Sequence, residues 1–163
     1  MTARFNSRQR FPVPVDALFE AHCDPAFQEA KALALGATTA KARRRDEGGS
    51  VVVEIDSSQP ARWGGGEANA GTMTYRLDPA GLRGTWKRTQ KGYEDRSRAE
   101  GTIVFRALGD GQSEVEVQGE IEIKIPLMGK MIEKKIVAAI DEQRAKEEAT
   151  AADLLRQRAA TKG

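Results

Sequence analysis

Residues 114–136 read EVEVQGEIEIKIPLMGKMIEKKI, and within them a strand pattern gives way to a helix pattern at Pro126. Up to Ile125, every second residue is apolar or glycine and most of the others are glutamate, a period of two that indicates a strand with one buried face. Gly119 lies on the apolar face, where a strand glycine favours a bulge or a bend of the kind that a curved sheet needs. The other face is predicted to meet solvent through Glu114, Glu116, Glu120 and Glu122.

After Pro126, apolar residues recur at the spacing of helix turns. The pattern predicts one long helix from about Leu127 to about Arg158, with residues 159–163 as a frayed tail of a single domain over 1–158. Beyond Asp141 the stripe weakens, and only Leu154 and Leu155 are expected to offer apolar anchorage there. The stripe consists of Met128, Ile132, Ile136 and Ile140, widened by Leu127, Met131, Val137 and Ala139.

The N-terminal region predicts a strand followed by two short helices. Thr2–Phe11 alternates between apolar or small residues and arginines, which indicates a half-solvated strand. Val15–Cys23 has helical apolar spacing, and Asp24 followed by proline is typical of a cap that begins a second helix, running to about Leu35. Gly36 stands where a helix C-terminus favours glycine.

Between these ends the chain predicts about five more strands, separated by turn signals such as Gly109-Asp110-Gly111. The predicted strands cover 38–45, 51–55, 72–77, 82–87 and 100–107. Clustered antiparallel strands with helices segregated from them define an α+β class. We therefore expect a curved sheet of about seven strands with the long helix packed across it.

Composition narrows the function classes. The 163-residue chain carries 26 basic and 24 acidic residues, a net charge of +2 that provides no strong footprint for nucleic acid. The basic cluster Lys41–Arg45 is followed at once by two acidic residues, so we interpret it as a solvated strand end. One cysteine excludes an internal disulfide, and no apolar run approaches the ~20 residues of a membrane span, so a cytoplasmic protein is the expectation.

The order of elements resembles the helix-grip fold of the START-like superfamily, also called SRPBCC, which includes polyketide cyclases and the birch-pollen-allergen proteins. Within it, the chain resembles a bacterial family classed as a domain of unknown function. The likeness rests on RFPVPVDALFEAHCDPAFQEA at residues 10–30 and GEIEIKIPLMGKMIEKKI at residues 119–136. The resemblance implies a cavity for a hydrophobic ligand between sheet and long helix. It implies no catalytic set, and we expect no cofactor and no metal.

The alternation of side chains along each strand assigns a set of apolar residues to the wall of that cavity. The same alternation places the polar residues Ser7, Gln9 and Arg88 on that face. The same faces would equally suit a closed core, so both interpretations stay open. Trp63, in the glycine-rich segment 59–71, is a candidate lid residue or simply a packed tryptophan. The ligand-binding candidates are Phe5, Ser7, Gln9, Val53, Ile55, Trp63, Met73, Tyr75, Trp86, Arg88, Ile103, Phe105, Val117, Ile121, Met128, Met131, Ile132 and Ile136.

Two other groups are interpreted as structural. His22 and Cys23 are adjacent on a helix and point about 100° apart, and zinc needs three or four ligands, so a packed helix end is favoured. Glu94 and Asp95 lie among basic residues in a turn, which favours a solvated hairpin tip over a buried acid pair.

Three functions follow as hypotheses. The leading one is a non-enzymatic carrier of a small hydrophobic molecule, such as a lipid or polyketide-like compound. The second is a cyclase-, aromatase- or hydrolase-type enzyme, which would need polar groups inside the cavity. The third is an interaction module that uses the long helix or the sheet edge; the oligomeric state is left open.

Overall fold

A computed structural model describes residues 2–59 and 69–162, and within them it forms one antiparallel sheet and three helices. The predicted α+β helix-grip fold is confirmed, and the element ends differ from the predicted ones by a few residues. The elements are β1 (Ala3–Phe11), α1 (Val15–His22), α2 (Pro25–Ala34), β2 (Thr39–Glu47), β3 (Ser50–Gln59), β4 (Asn69–Asp78), β5 (Arg83–Gln90), β6 (Ser97–Gly109), β7 (Gln112–Ile123) and α3 (Gly129–Lys162).

The seven strands pair in the order β1-β7-β6-β5-β4-β3-β2. One row of paired residues crosses the middle of the sheet from Phe5 through Gly119 and Gly101 to Trp86. The register is continuous at Gly119, so the predicted irregularity there is not a bulge; the register shift lies at Ala107. A Cβ on Gly119 would lie 2.3 Å from the Trp86 ring and 2.7 Å from the Phe5 ring, so the glycine makes room for two aromatic side chains.

The helices close one end of the sheet. Asp24 caps α2 by accepting a hydrogen bond from the Ala26 amide at 3.0 Å, and the ring of Phe19 on α1 packs edge-on against Phe105 with centroids 5.1 Å apart. Among the described residues, no helix is long and apolar enough to cross a bilayer.

The packing of α3 corrects one expectation. Its buried apolar residues are Ala151, Ala152 and Leu155, all beyond Asp141. Alanine contributes little to a hydrophobic pattern, yet its small side chain lets a helix approach its neighbours closely. An ion pair between Arg158 and Asp24 secures the same end, and the helix continues past Arg158 to Lys162.

The convex face of the sheet holds a second correction. Glu114 and Glu116 are buried, Glu116 with 4% of its surface exposed, although their face was predicted to meet solvent. Glu116 accepts from Arg8 at 2.8 Å and from Asn6 at 3.1 Å, and it pairs with Arg106 at 2.9 Å. These hydrogen bonds hold the Glu116 pKa at about 2. Alternation predicts on which face of the sheet a side chain lies. It does not predict that long arginine side chains from neighbouring strands cover the glutamates on that face.

Candidate functional site

Large apolar side chains that keep part of their surface accessible lie on the sheet and on the first half of α3. On the sheet these are Phe5, Met73, Tyr75 and Val117, all of them packed against the core but only half-buried. On α3 they are Ile132, Ile136 and Ile140, also half-buried. By contrast, the candidates Val53, Ile55, Trp86, Ile103, Phe105 and Ile121 are fully buried and form the floor.

Strand register explains why these side chains share one side. Residues paired directly across an antiparallel ladder point to the same face. Tyr75 is opposite both Val53 and Trp86, and Met73 is opposite both Ile55 and Arg88. The whole row therefore faces α3.

The helix is held over this side at both ends. A Cβ on Gly129 would lie 2.2 Å from the Ile123 carbonyl oxygen, so only glycine allows α3 to begin against the end of β7. Glu133, one turn later, is buried and accepts the Ile123 amide at 2.9 Å. Ile136 is seven residues after Gly129, so it lies on the same sheet-facing side.

Polar side chains stand among the apolar ones. Gln9 Nε2 lies 3.5 Å from both the Arg144 carbonyl oxygen and Glu147 Oε2, and Ser7 is buried on the same strand. Burial and the negative charge of Glu147 raise the pKa of Tyr75 to about 12. Burial also lowers the pKa of Arg88, an effect that Tyr75 opposes.

Sequence reasoning missed two members of this polar group, Lys31 and Glu147. Burial lowers the pKa of Lys31, and the charge of Glu147 opposes that shift. Burial raises the pKa of Glu147, while Lys31 and the hydrogen bond from Gln9 oppose it. A signal was present in the sequence, since Glu147 follows Ile140 by seven residues on one stripe and Lys31 follows Phe27 by four.

Lys31, Tyr75, Arg88 and Glu147 combine two properties. Each is surrounded by enough protein for burial to be the largest cause of its pKa shift. Each nevertheless keeps accessible surface. Groups in a partly open interior have this combination, as do groups at the rim of a packed interface, because the surrounding protein desolvates a charge without covering all of its atoms.

Other candidates are placed elsewhere. Met128 and Met131 are 49% and 47% exposed, and Met131 lines an open groove on the side of α3 that faces away from the sheet. The spacing of the stripe did not separate these methionines from the isoleucines that face inward. Trp63 lies outside the described residues. A second open groove is lined mainly by residues of the outer face such as Arg4 and Lys87, and Phe5 and Trp86 also border it.

His22 and Cys23 are part of the packed core. The His22 ring packs against Phe105 with centroids 5.0 Å apart, and its Nδ1 lies 3.0 Å from the Leu18 carbonyl oxygen. Burial lowers the His22 pKa to about 3 and raises the Cys23 pKa to about 11, so neither is a reactive group near neutral pH. Over residues 2–59 and 69–162 no cluster of three or more metal-ligating side chains occurs.

Comparisons with known proteins agree with this geometry. A family model described as "Protein of unknown function (DUF2505)" matches residues 6–155, and no curated protein matches the chain. Among solved structures, the chain is similar to a Thermus thermophilus protein, TTHA0849, with a TM-score of 0.69 and 16% identity over 95% of this chain and 98% of that one.

Two named enzymes share the fold as well. The Zhui aromatase/cyclase from Streptomyces sp. R1128 has a TM-score of 0.67 and 13% identity over 98% of this chain and 96% of that one. Norcoclaurine synthase from Thalictrum flavum has a TM-score of 0.61 and 15% identity over 98% of this chain and 87% of that one. At these identities the likeness is one of fold, and it confirms the predicted START-like architecture.

Proposed function

The chain belongs to the family of proteins of unknown function DUF2505, and from this fold and interior we propose that it binds a small hydrophobic ligand between the sheet and the first half of α3. The observation that supports the proposal most is the combination of burial and accessibility at Lys31, Tyr75, Arg88 and Glu147. At the centre of a closed core these side chains would keep no accessible surface.

The composition of the interior suggests which ligand fits. Phe5, Val117 and Ile136 offer accessible apolar surface, and removal of such surface from water stabilises a complex by ~25 cal/mol per Å² before the cost of association. Arg88 and the Tyr75 hydroxyl supply donors beside that surface. We therefore expect a mainly apolar molecule with one hydrogen-bond acceptor or acidic group, a description that lipids and polyketide-like compounds both meet.

The test is binding of the environment-sensitive dye ANS, together with native mass spectrometry of the purified protein. We expect the dye to fluoresce in the presence of the chain, and Ile136→Trp to weaken its binding at least ~10-fold by filling the space. Ala138→Trp is the matched control, because Ala138 lines the outer groove of the same helix and the added ring would stay outside.

Two outcomes would contradict the proposal. One is a wild-type chain that binds no apolar probe and carries no bound mass. The other is dye binding that Ile136→Trp leaves unchanged while Ala138→Trp reduces it, since the dye would then occupy the outer surface.

A second candidate function, acid–base catalysis in the same space, is favoured by Lys31 and Glu147. A lysine with a lowered pKa and a carboxyl group with a raised pKa are the kinds of group that general acid–base catalysis uses. Tyr75, on which the charge of Glu147 acts, is a third group able to carry a proton.

Its test is the pH dependence of lysine modification by a small aldehyde with borohydride trapping, followed residue by residue by mass spectrometry. Catalytic use of Lys31 predicts that it reacts at lower pH than the exposed Lys146, and that Glu147→Gln lowers its apparent pKa further. If Lys31 reacts in step with Lys146, this second function loses its support.

A further inference from the structure

The outer side of α3 exposes large apolar side chains where the helix begins. Leu127 is fully exposed, and Met128 and Met131 are 49% and 47% exposed. Leu127 and Met131 border the same open groove, of about 500 Å³, on the side away from the sheet. A contiguous exposed apolar surface of this kind marks an interaction site more often than isolated exposed residues do.

The backbone at Leu127 indicates that this exposure is built into the fold. Leu127 has a φ of 68°, the left-handed region that L-residues with a Cβ adopt at an energetic cost. The Leu127 side chain recovers none of that cost by packing, because it is fully exposed. A strained residue that presents an unpacked leucine points to a role outside the folded chain.

Lysines lie beside these apolar side chains. Six residues line the groove, the apolar Leu127, Met131 and Ala138 and the lysines Lys130, Lys134 and Lys135. Glu133, the acidic residue within the same turns, is buried and bound to the Ile123 amide, so its carboxylate faces inward. Segment 127–138 therefore presents lysines and apolar side chains together.

The pattern stops after three turns of the helix. Asp141 and Glu142 are the first exposed acidic residues along α3, and further carboxylates follow at Glu148 and Asp153. A chain with a net charge of only +2 thus concentrates positive charge at the start of this helix, which we call the basic apolar patch: Leu127, Met128, Lys130, Met131, Lys134 and Lys135.

We propose that the basic apolar patch docks the protein on the surface of an anionic lipid bilayer. Apolar side chains flanked by lysines on one helix face match such a surface, since the apolar groups enter the headgroup boundary while the lysines meet lipid phosphates and carboxylates. A second copy of the chain fits less well, because a two-fold interface would place lysines against lysines. The proposal does not require the interior ligand to be a lipid.

The experiment is flotation of the full chain with vesicles of phosphatidylcholine alone and of phosphatidylcholine mixed with phosphatidylserine. We expect binding to the mixed vesicles only, and weaker binding as salt rises. The double variant Lys130→Gln/Lys134→Gln should weaken binding roughly 30-fold. The control Lys41→Gln/Lys146→Gln removes two exposed lysines outside the patch and should bind as the wild type does.

The variant Leu127→Gly distinguishes loss of the membrane contact from loss of the fold. Glycine tolerates the left-handed backbone, so the variant should unfold at the same or a higher temperature and yet bind the mixed vesicles several-fold less tightly. The proposal would be overturned by equal binding to both vesicles, by no binding to either, by loss of binding in the control variant alone, or by binding to an acidic protein without binding to vesicles. Vesicle binding by a chain that takes up no dye would leave this inference standing and remove the proposed function.

Discussion

The two halves of α3 meet the rest of the molecule in different ways. In the packed half, Ala151, Ala152 and Leu155 are buried with the rings of Phe19 and Phe105. In the open half, Ile132, Ile136 and Ile140 face the sheet but stay half-buried. The isoleucines keep the first half of the helix at a distance from the sheet, whereas the alanines let the second half pack closely. The same helix therefore packs tightly at one end of the interior and only covers the other end.

The buried polar groups also differ in position along α3. The packed half holds His22, kept neutral by burial and satisfied locally by the Leu18 carbonyl group. Lys31 and Glu147, whose charges act on each other, lie at the boundary between the two halves, since Glu147 is four residues before the buried Ala151.

The largest expected effect contrasts one buried and one half-buried aliphatic residue of α3. Leu155→Ala should lower the free energy of unfolding by about 3 to 4 kcal/mol, because it leaves a cavity at a site that is 2% exposed. Ile136→Ala should cost about 1 kcal/mol, since its neighbours already leave space. Urea denaturation measures both, and equal losses would show that the two halves are packed alike.

The elements of the fold could be predicted because their signals are local. The alternation before Pro126 and the stripe after it place β7 and the start of α3 within a few residues. Leu155 was predicted as an anchor of α3, but Ala151 and Ala152 were missed, because alanine carries almost no hydrophobic signal. The burial of Glu116 was missed for a different reason, since the arginines that cover it come from two other strands.

The candidate site could be predicted only in part. The alternation of side chains along a strand assigns Ser7, Gln9 and Arg88 to the face that turns toward α3. This assignment requires knowledge only of the strand in which each residue lies. Lys31 and Glu147 meet from helices more than one hundred residues apart, and no local pattern pairs them. Proximity of that kind is a property of the folded chain.

The next effect tests the row of paired residues that crosses the sheet from Phe5 through Gly119 and Gly101 to Trp86. A Cβ on Gly101 would lie 1.8 Å from the Gln118 carbonyl oxygen, which is backbone and cannot move aside. We expect Gly101→Ala to cost about 3 kcal/mol and Gly119→Ala about 1 kcal/mol, because the Phe5 and Trp86 rings can shift into the open half. Denaturation midpoints compare the two. A larger loss for Gly119→Ala would mean that the space beside these rings is filled.

A smaller effect comes from titration in the packed half. His22 has a pKa of about 3 in the folded chain against 6.5 unfolded, so the unfolded chain binds more protons between these values. Stability is then lost as the pH falls below 6.5, by about 2 kcal/mol at pH 5. His22→Gln should remove this part of the slope in denaturation curves recorded from pH 7 to pH 5. An unchanged slope would mean that His22 is protonated in place.

The smallest effect has the opposite sign and belongs to Glu147, at the boundary between the two halves of α3. Burial raises the pKa of Glu147 above its unfolded value, so its contribution to stability is fully present below pH 4.5 and is lost as the pH rises through the raised pKa. Relative to Glu147→Gln, the wild type should therefore gain stability on acidification, by less than about 1 kcal/mol because the group keeps accessible surface. The comparison needs both proteins measured at each pH, so that His22 and Glu116 cancel in the difference. A wild type that instead loses stability relative to the variant on acidification would show that Glu147 is held ionised by the charge of Lys31.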